Sequence, residues 1–270
     1  SLSLPAEMVL LPVQPGDTGR DVGMYGHTSL HQRRLRQSHR VTDQLGDINR
    51  RFGLVALPRI GAVGDHVLHR LPVCPAVRVH RVRDRAKDNY LRGQFSFLDL
   101  DGEQKTFDLR MRTRGNFRHK ECDYPPILLN FKKGQLRDTL LDGQNKLKLV
   151  IHCRKSQRYE QTVLREFLAY RMLNALTDLS FRVRLLHVSY VNEERDGKSQ
   201  QRYAFLIEHK KRLAERLSLE SLAIEKTSVG ALRPDQLNLN SVFAYMIGNT
   251  DFSPIAGPPG SKCCHNFVLF

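Results

Sequence analysis

Two runs of alternating apolar and polar side chains, joined by a tight-turn dipeptide, constrain this chain more than any other feature. Gln94-Phe95-Ser96-Phe97-Leu98-Asp99-Leu100 and Thr106-Phe107-Asp108-Leu109-Arg110-Met111-Arg112 lie on either side of Asp101-Gly102. Alternation with period two sends every second side chain to one face of a strand. Asp-Gly accepts the positive φ values of a short hairpin turn. A β-hairpin is therefore predicted, with Arg110, Arg112 and Arg114 on one face. Gly115-Asn116 permits a sharp bend behind them.

The same reading extends along the chain. Residues 127–131 form a short apolar run that reads as a buried strand. Leu147, Leu149 and Ile151 alternate with Lys146, Lys148 and His152 and predict another. Residues 159–176 carry Val163, Leu164, Phe167, Leu168, Met172, Leu173 and Leu176 at three- and four-residue spacing, the period of a helix. Residues 183–191 and 203–208 read as a strand pair around the turn signal Asp196-Gly197. A short charged helix is predicted over 210–217 and an apolar helix over 236–247, broken by Gly248-Asn249-Thr250-Asp251. Residues 266–270 predict a last strand. The chain stops inside that apolar run, so a C-terminal truncation is expected. Strands, then a helix, a hairpin and more helix predict an α+β fold.

Composition divides the chain at one point. The first lysine is Lys87, and residues 1–86 hold 13 Arg, 6 of the 11 His and no Lys. Only Tyr25 and Phe52 are aromatic there, against 19 aromatic residues in the remainder. Such a stretch lacks the aromatic payload and the apolar period that a core needs. Residues 1–86 are therefore expected to be a disordered leader, or text outside the native reading frame of a GC-rich gene. A poorly patterned domain is the remaining reading. The formal charge of +15 splits into +6 before Lys87 and +9 from there on. A surplus of that size favours anionic partners such as nucleic acid or phosphates. No run approaches about 18 apolar residues, so no transmembrane helix is predicted. The compartment stays open, and export or attachment to the cell envelope is compatible with a missing N-terminus.

Three constellations could carry chemistry. In the first, an apolar helix delivers Asp251, and Asn266 follows after a proline- and glycine-rich excursion. A carboxylate that deprotonates a hydroxyl, with an amide oxygen downstream for Mg²⁺, suits phosphoryl transfer. A helix C-terminal cap at Gly248-Asn249 explains part of the same pattern. In the second, Lys146 and Lys148 lie on a strand, and Glu160 and Glu166 lie on the next helix. A strand lysine held by a helix glutamate touches nucleotide phosphates in protein kinases. Lys148 is the favoured lysine, because Leu147 and Leu149 flank it. The plainer reading is solvated surface charge. In the third, Arg112 and Arg114 beside Gly115 could clamp phosphate or form a solvated strand edge. No G-x-x-x-x-G-K-[ST] or G-x-G-x-x-G element is present. Cys263-Cys264-His265 lacks the usual spacing of metal ligands. Cys122 and Cys153 could pair in an exported protein or stay as free thiols.

The order of these pieces resembles the spore-coat-protein-H (CotH) kinase-like family over roughly residues 90–270. Arg112-Thr113-Arg114-Gly115-Asn116 before the strand at 127–131 is similar to that family's opening motif. Leu164-Arg165-Glu166-Phe167-Leu168-Ala169-Tyr170 is similar to its helix, and Tyr203-Ala204-Phe205-Leu206-Ile207-Glu208 to its hairpin strand. Ile247-Gly248-Asn249-Thr250-Asp251 and His265-Asn266-Phe267 resemble its catalytic segment. The resemblance implies an atypical kinase-like fold, with a β-rich N-lobe over 87–209 and the start of a helical C-lobe over 210–270. It implies ATP and Mg²⁺ as cofactors and a protein Ser or Thr hydroxyl as acceptor, with no role for nucleic acid. By matching position, Asp251 would be the catalytic carboxylate and Asn266 would lie at the metal. Lys148, Glu166, Arg112 and Arg114 would face the nucleotide. Ala204 stands where the family has glycine. The family's downstream metal-binding carboxylate has no counterpart before Phe270, so the chain as given is expected to be an inactive fragment. The competing expectation is a non-catalytic basic module that binds nucleic acid or other anions.

Overall fold

The alternating hairpin becomes one wall of a barrel. In the computed structural model, which describes residues 8–10, 76–78, 89–115, 117–192 and 198–270, strand β3 (Leu91–Leu98) pairs antiparallel with β4 (Gln104–Thr113). The turn is longer than a two-residue Asp-Gly turn. Asp99 N–H donates to the Glu103 carbonyl at 2.9 Å, Gly102 N–H donates to the Asp99 carbonyl at 3.0 Å, and Gly102 has φ of 80°. Leu100, predicted as strand, sits exposed in this loop. Phe95, Phe97, Leu109 and Met111 point inward, as their alternation requires.

Strands β5 (Ile127–Asn130), β6 (Lys146–Val150), β7 (Val183–Asn192) and β8 (Lys198–Glu208) continue the sheet in the order β3-β4-β5-β6-β8-β7, all antiparallel. Strand β2 (Ala76–Arg78) pairs antiparallel with β3 and parallel with β7, which closes the barrel. The interior is filled by Phe95, Leu129, Phe131, Leu147, Leu149, Val188, Ala204 and Leu206 among others. Phe131 meets Phe95 edge-on at 5.8 Å. The short helix α1 (Phe117–Glu121) lies between β4 and β5.

Helix α2 (Arg158–Leu176) connects β6 to β7 and packs on β7 and β8. It forms where predicted but buries only part of the predicted apolar set. Glu160, Val163, Glu166, Ala169, Tyr170 and Leu173 are buried, whereas Leu168, Met172 and Leu176 are exposed. The apolar residues cover more than one face of the helix, so their period alone does not select the buried one. Two of the six buried positions are glutamates, which hydrophobic periodicity cannot flag.

His209 joins β8 to helix α3 (Lys210–Leu217), and its Nδ1 accepts from Lys211 N–H at 3.3 Å as the helix cap. Helix α4 (Pro234–Met246) follows, then β9 (Phe267–Leu269). Their apolar side chains form a second core against the outer surface of β6, β7 and β8, which contains Val150, Tyr170, Phe181, Phe205, Ile207, Leu213, Phe243 and Phe267. Strand β1 (Met8–Leu10) pairs in parallel with β9, and the Met8 side chain is buried in this core. Two pieces of the segment read as a leader thus join the fold. The rest of residues 1–86, Asn116 and the turn at Asp196-Gly197 lie outside the described residues. No helix among the described residues is long and apolar enough to cross a membrane.

Cys122 and Cys153 are bonded to each other, tying the end of α1 to the loop after β6. Cys263 and Cys264 are also bonded to each other. Next to Cys153, His152 is buried between the rings of Tyr124 at 4.8 Å and Tyr190 at 5.8 Å, and neither ring nitrogen has a hydrogen-bond partner among the described residues. Burial, followed by the charge of Arg202, pushes its pKa down to about 4.

Leu173→Ala is expected to cost about 2–5 kcal/mol, as for a fully buried leucine, while Leu168→Ala stays within about 0.5 kcal/mol. Urea denaturation of the two variants distinguishes the observed buried face from the alternative one. The neutral His152 contributes stability that is complete above its unfolded pKa and is lost as pH falls from about 6.5 toward about 4. The urea midpoint should drop over that window, and less steeply in His152→Phe.

Candidate functional site

Asp251 is gripped at three points by residues from both ends of one loop. Helix α4 ends on Gly248, at φ of 67°, and Asn249 N–H donates back to the Ala244 carbonyl at 2.9 Å. The capping reading of Gly248-Asn249 is therefore correct for the backbone. The Asn249 side chain has a further task. It is 1% exposed, and its Oδ1 accepts from Asp251 N–H at 3.2 Å. From the far end of the loop, Asn266 Nδ2 donates to the Asp251 carbonyl. His265 Nε2 lies 2.8 Å from Asp251 Oδ1. Ser253 and His265 exchange two backbone hydrogen bonds of 3.0 Å, which fold the Pro254–Gly260 excursion back on itself. The Asp251 side chain remains 62% exposed, so its position is fixed while it faces solvent.

Sequence spacing thus placed Asp251 and Asn266 in one site. It did not mark Asn249 and His265 as their partners. The doublets Gly248-Asn249 and His265-Asn266 were the available signal, because each couples a backbone anchor to a neighbouring polar side chain.

The second constellation is arranged differently. Glu166 is buried, and its partner is Arg118 of α1, with Nη2 2.6 Å from Oε2. The expected pairing of a strand lysine with Glu166 is not formed. Glu160 accepts a hydrogen bond from Tyr203 N–H of β8 at 2.5 Å, so it moors the helix to the sheet. Lys148 lies on the outer face of β6, because Leu147 and Leu149 occupy the inner face, and its Nζ is 5.0 Å from the centre of the Phe181 ring. Arg118 escaped sequence reasoning because it stands 48 residues from Glu166 in the chain. No periodicity links the two.

Strand register puts the remaining cations on the same outer face. Arg92, Arg110, Asn130 and Lys146 are consecutive partners across β3, β4, β5 and β6. Arg112, Leu128, Lys148 and Ile207 form the next rung. The guanidinium groups of Arg110 and Arg112 lie 5.3 and 5.5 Å from the centre of the Tyr90 ring. Arg114 stands one residue past the strand, its N–H bonded to the Pro126 carbonyl at 2.8 Å. His209 borders the lysine end. Burial first, then Lys148, Lys146, Lys210 and Lys211, push its pKa down to about 4.

These residues fit ATP and Mg²⁺ in part. Asp251 and the Asn266 amide oxygen are hard oxygen donors of the kind Mg²⁺ takes when phosphates and water complete its shell. Among the described residues, no group of three His, Cys, Asp or Glu side chains could hold a metal by itself. The cations Lys146 and Lys148 suit phosphate oxygens. In the Cys263-Cys264-His265 run the two sulfurs bond each other, and His265 faces Asp251.

Removing Arg118 leaves a buried carboxylate without its cation. Arg118→Ala should therefore destabilise the fold, toward the lower end of about 3–5 kcal/mol because the Arg118 side chain is 26% exposed. Glu166→Gln in the Arg118→Ala background should recover part of the loss, and Lys148→Ala should cost far less. A double-mutant cycle in urea reads all three. No protein-family model, curated protein or solved structure matches this chain.

Proposed function

We propose that the chain is a kinase-like phosphotransferase of the spore-coat-protein-H type, acting on a Ser or Thr hydroxyl of a protein. The observation that carries this reading is the threefold grip on Asp251 by Asn249, His265 and Asn266 at the end of an apolar helix. The sheet order supports it. A strand lysine, a crossing helix and a returning hairpin precede that loop in a single α+β body, with Lys148 on the face that meets the second core.

In this reading, ATP bound with Mg²⁺ supplies the phosphoryl group and the charge neutralisation that its transfer needs. Asp251 orients the incoming hydroxyl and accepts its proton. Asn266 holds the Asp251 backbone, and its amide oxygen would serve as a ligand for Mg²⁺. Lys148 offsets phosphate charge, and Arg112 and Arg114 extend that field along the sheet. Arg118 pairs with Glu166 and so ties α1 to α2. The disulfide between Cys122 and Cys153 supports an oxidising compartment and hence export.

The second reading is a non-catalytic module for nucleic acid or other anions, favoured by the rung Arg92, Arg110 and Lys146. Calorimetric titration with ATP, with and without Mg²⁺, separates the two. Mg²⁺-dependent ATP binding, weakened in Lys148→Ala, supports the phosphotransferase. Any ATP-dependent transfer to a protein acceptor should fall by about 10²–10⁴-fold in Asp251→Ala. Salt-sensitive binding to an oligonucleotide without a response to ATP would rule the phosphotransferase out.

A further inference from the structure

We propose that the outer face of β3–β6 is a docking surface for an extended acidic segment of a protein, the class of substrate that the phosphotransferase acts on. Its role as substrate docking rests on the phosphotransferase reading, whereas the binding itself does not. Arg92 and Arg110 are both exposed and directly opposite each other on neighbouring strands. Like charges in that relation repel, about 4.8 Å apart at the backbone. An anion lying across the pair would offset this repulsion. Lys146 continues the same rung two strands on. Arg110 and Arg112 repeat along β4 with the spacing of residues i and i+2, about 6.6–6.8 Å. An extended peptide with an acidic residue at every second position presents carboxylates at that same interval. The patch has a defined end, since Asp108 on the following rung accepts a hydrogen bond from Gln94 at 3.0 Å.

A single-stranded nucleic acid fits this face less well. Such ligands need aromatic platforms on which bases stack. The face carries one suitable ring, Tyr90, and the guanidinium groups of Arg110 and Arg112 already lie over it at 5.3 and 5.5 Å.

Fluorescence anisotropy of the full chain tests this with a labelled peptide of alternating Asp and Ser, a Lys-Ser peptide of equal length and a thymidine oligonucleotide. The acidic peptide should bind, the basic one should not, and binding should weaken as salt rises. Arg110→Glu places a carboxylate opposite Arg92, so the hairpin is retained while two cations are removed from the ligand. It should weaken the acidic peptide by about tenfold and leave ATP binding unchanged. A thermal melt like that of the unmodified chain confirms the fold. Unchanged peptide affinity in Arg110→Glu overturns the docking surface, and so does tighter binding of the oligonucleotide that the substitution abolishes. Peptide binding in a chain that does not bind ATP leaves the surface standing and removes the phosphotransferase reading instead.

Discussion

Strand β8 from Ala204 to Glu208 and the Val150 end of β6 are buried on both faces, and this constraint organises the molecule. Leu147, Leu149, Ala204 and Leu206 fill the barrel, while Val150, Phe205 and Ile207 face the second core. A strand sealed on both sides has little freedom to slip, because a one-residue shift would exchange the two sets. The register then dictates where charge can go. On β6 only Lys146 and Lys148 escape the apolar layers, and both emerge on the outer side toward α3. The basic face is thus a consequence of core packing as much as of composition. It also changes the meaning of the net charge of +15. A few cations in register create a local field that the total does not describe.

Buried carboxylates then fix the helices to this sheet. Glu160 accepts from the backbone of β8, Glu166 pairs with Arg118, and Glu208 accepts from Arg182 N–H at 3.0 Å and pairs with Arg216 at 2.7 Å. Each joins elements that apolar contact alone would hold in several rotations. Replacing such pairs with apolar side chains is often neutral for stability, so their value here lies in orientation. The α2 helix illustrates this. It has apolar residues on more than one side, and the two glutamates select which side turns inward.

Much of the fold was legible because it is built from hairpins with clear alternation. The strands at Phe95, Leu109, Leu149, Leu185 and Phe205 and the helices at Tyr170, Leu213 and Phe243 all appear near their expected positions. Polar burial was not legible. Periodicity ranks Leu168 and Met172 above Glu160 and Glu166 as core residues, and the structure reverses that order. Closure of the barrel by residues 76–78 was also hidden, since three residues carry no measurable period. At the candidate site, Asp251 and Asn266 stood out because both follow a helix breaker or start a strand. Arg118 did not, because an ion pair between distant elements leaves no local trace.

The pairing of Glu166 with Arg118 bears on how the proposed phosphate site would work. A glutamate that holds the strand lysine keeps that lysine in one place but shares its charge. Here the arginine takes that load, and Lys148 lies against the Phe181 ring with other cations nearby. Arg118 is itself held in place. Cys122 N–H donates to its carbonyl at 3.1 Å, and the Cys122 side chain is bonded to Cys153 beyond β6. The support of α2 therefore comes from α1 and a covalent tie, while the cations of the sheet face remain directed outward. In the phosphotransferase reading, positioning and phosphate attraction, which one lysine–glutamate pair would otherwise have to combine, would fall to separate residues.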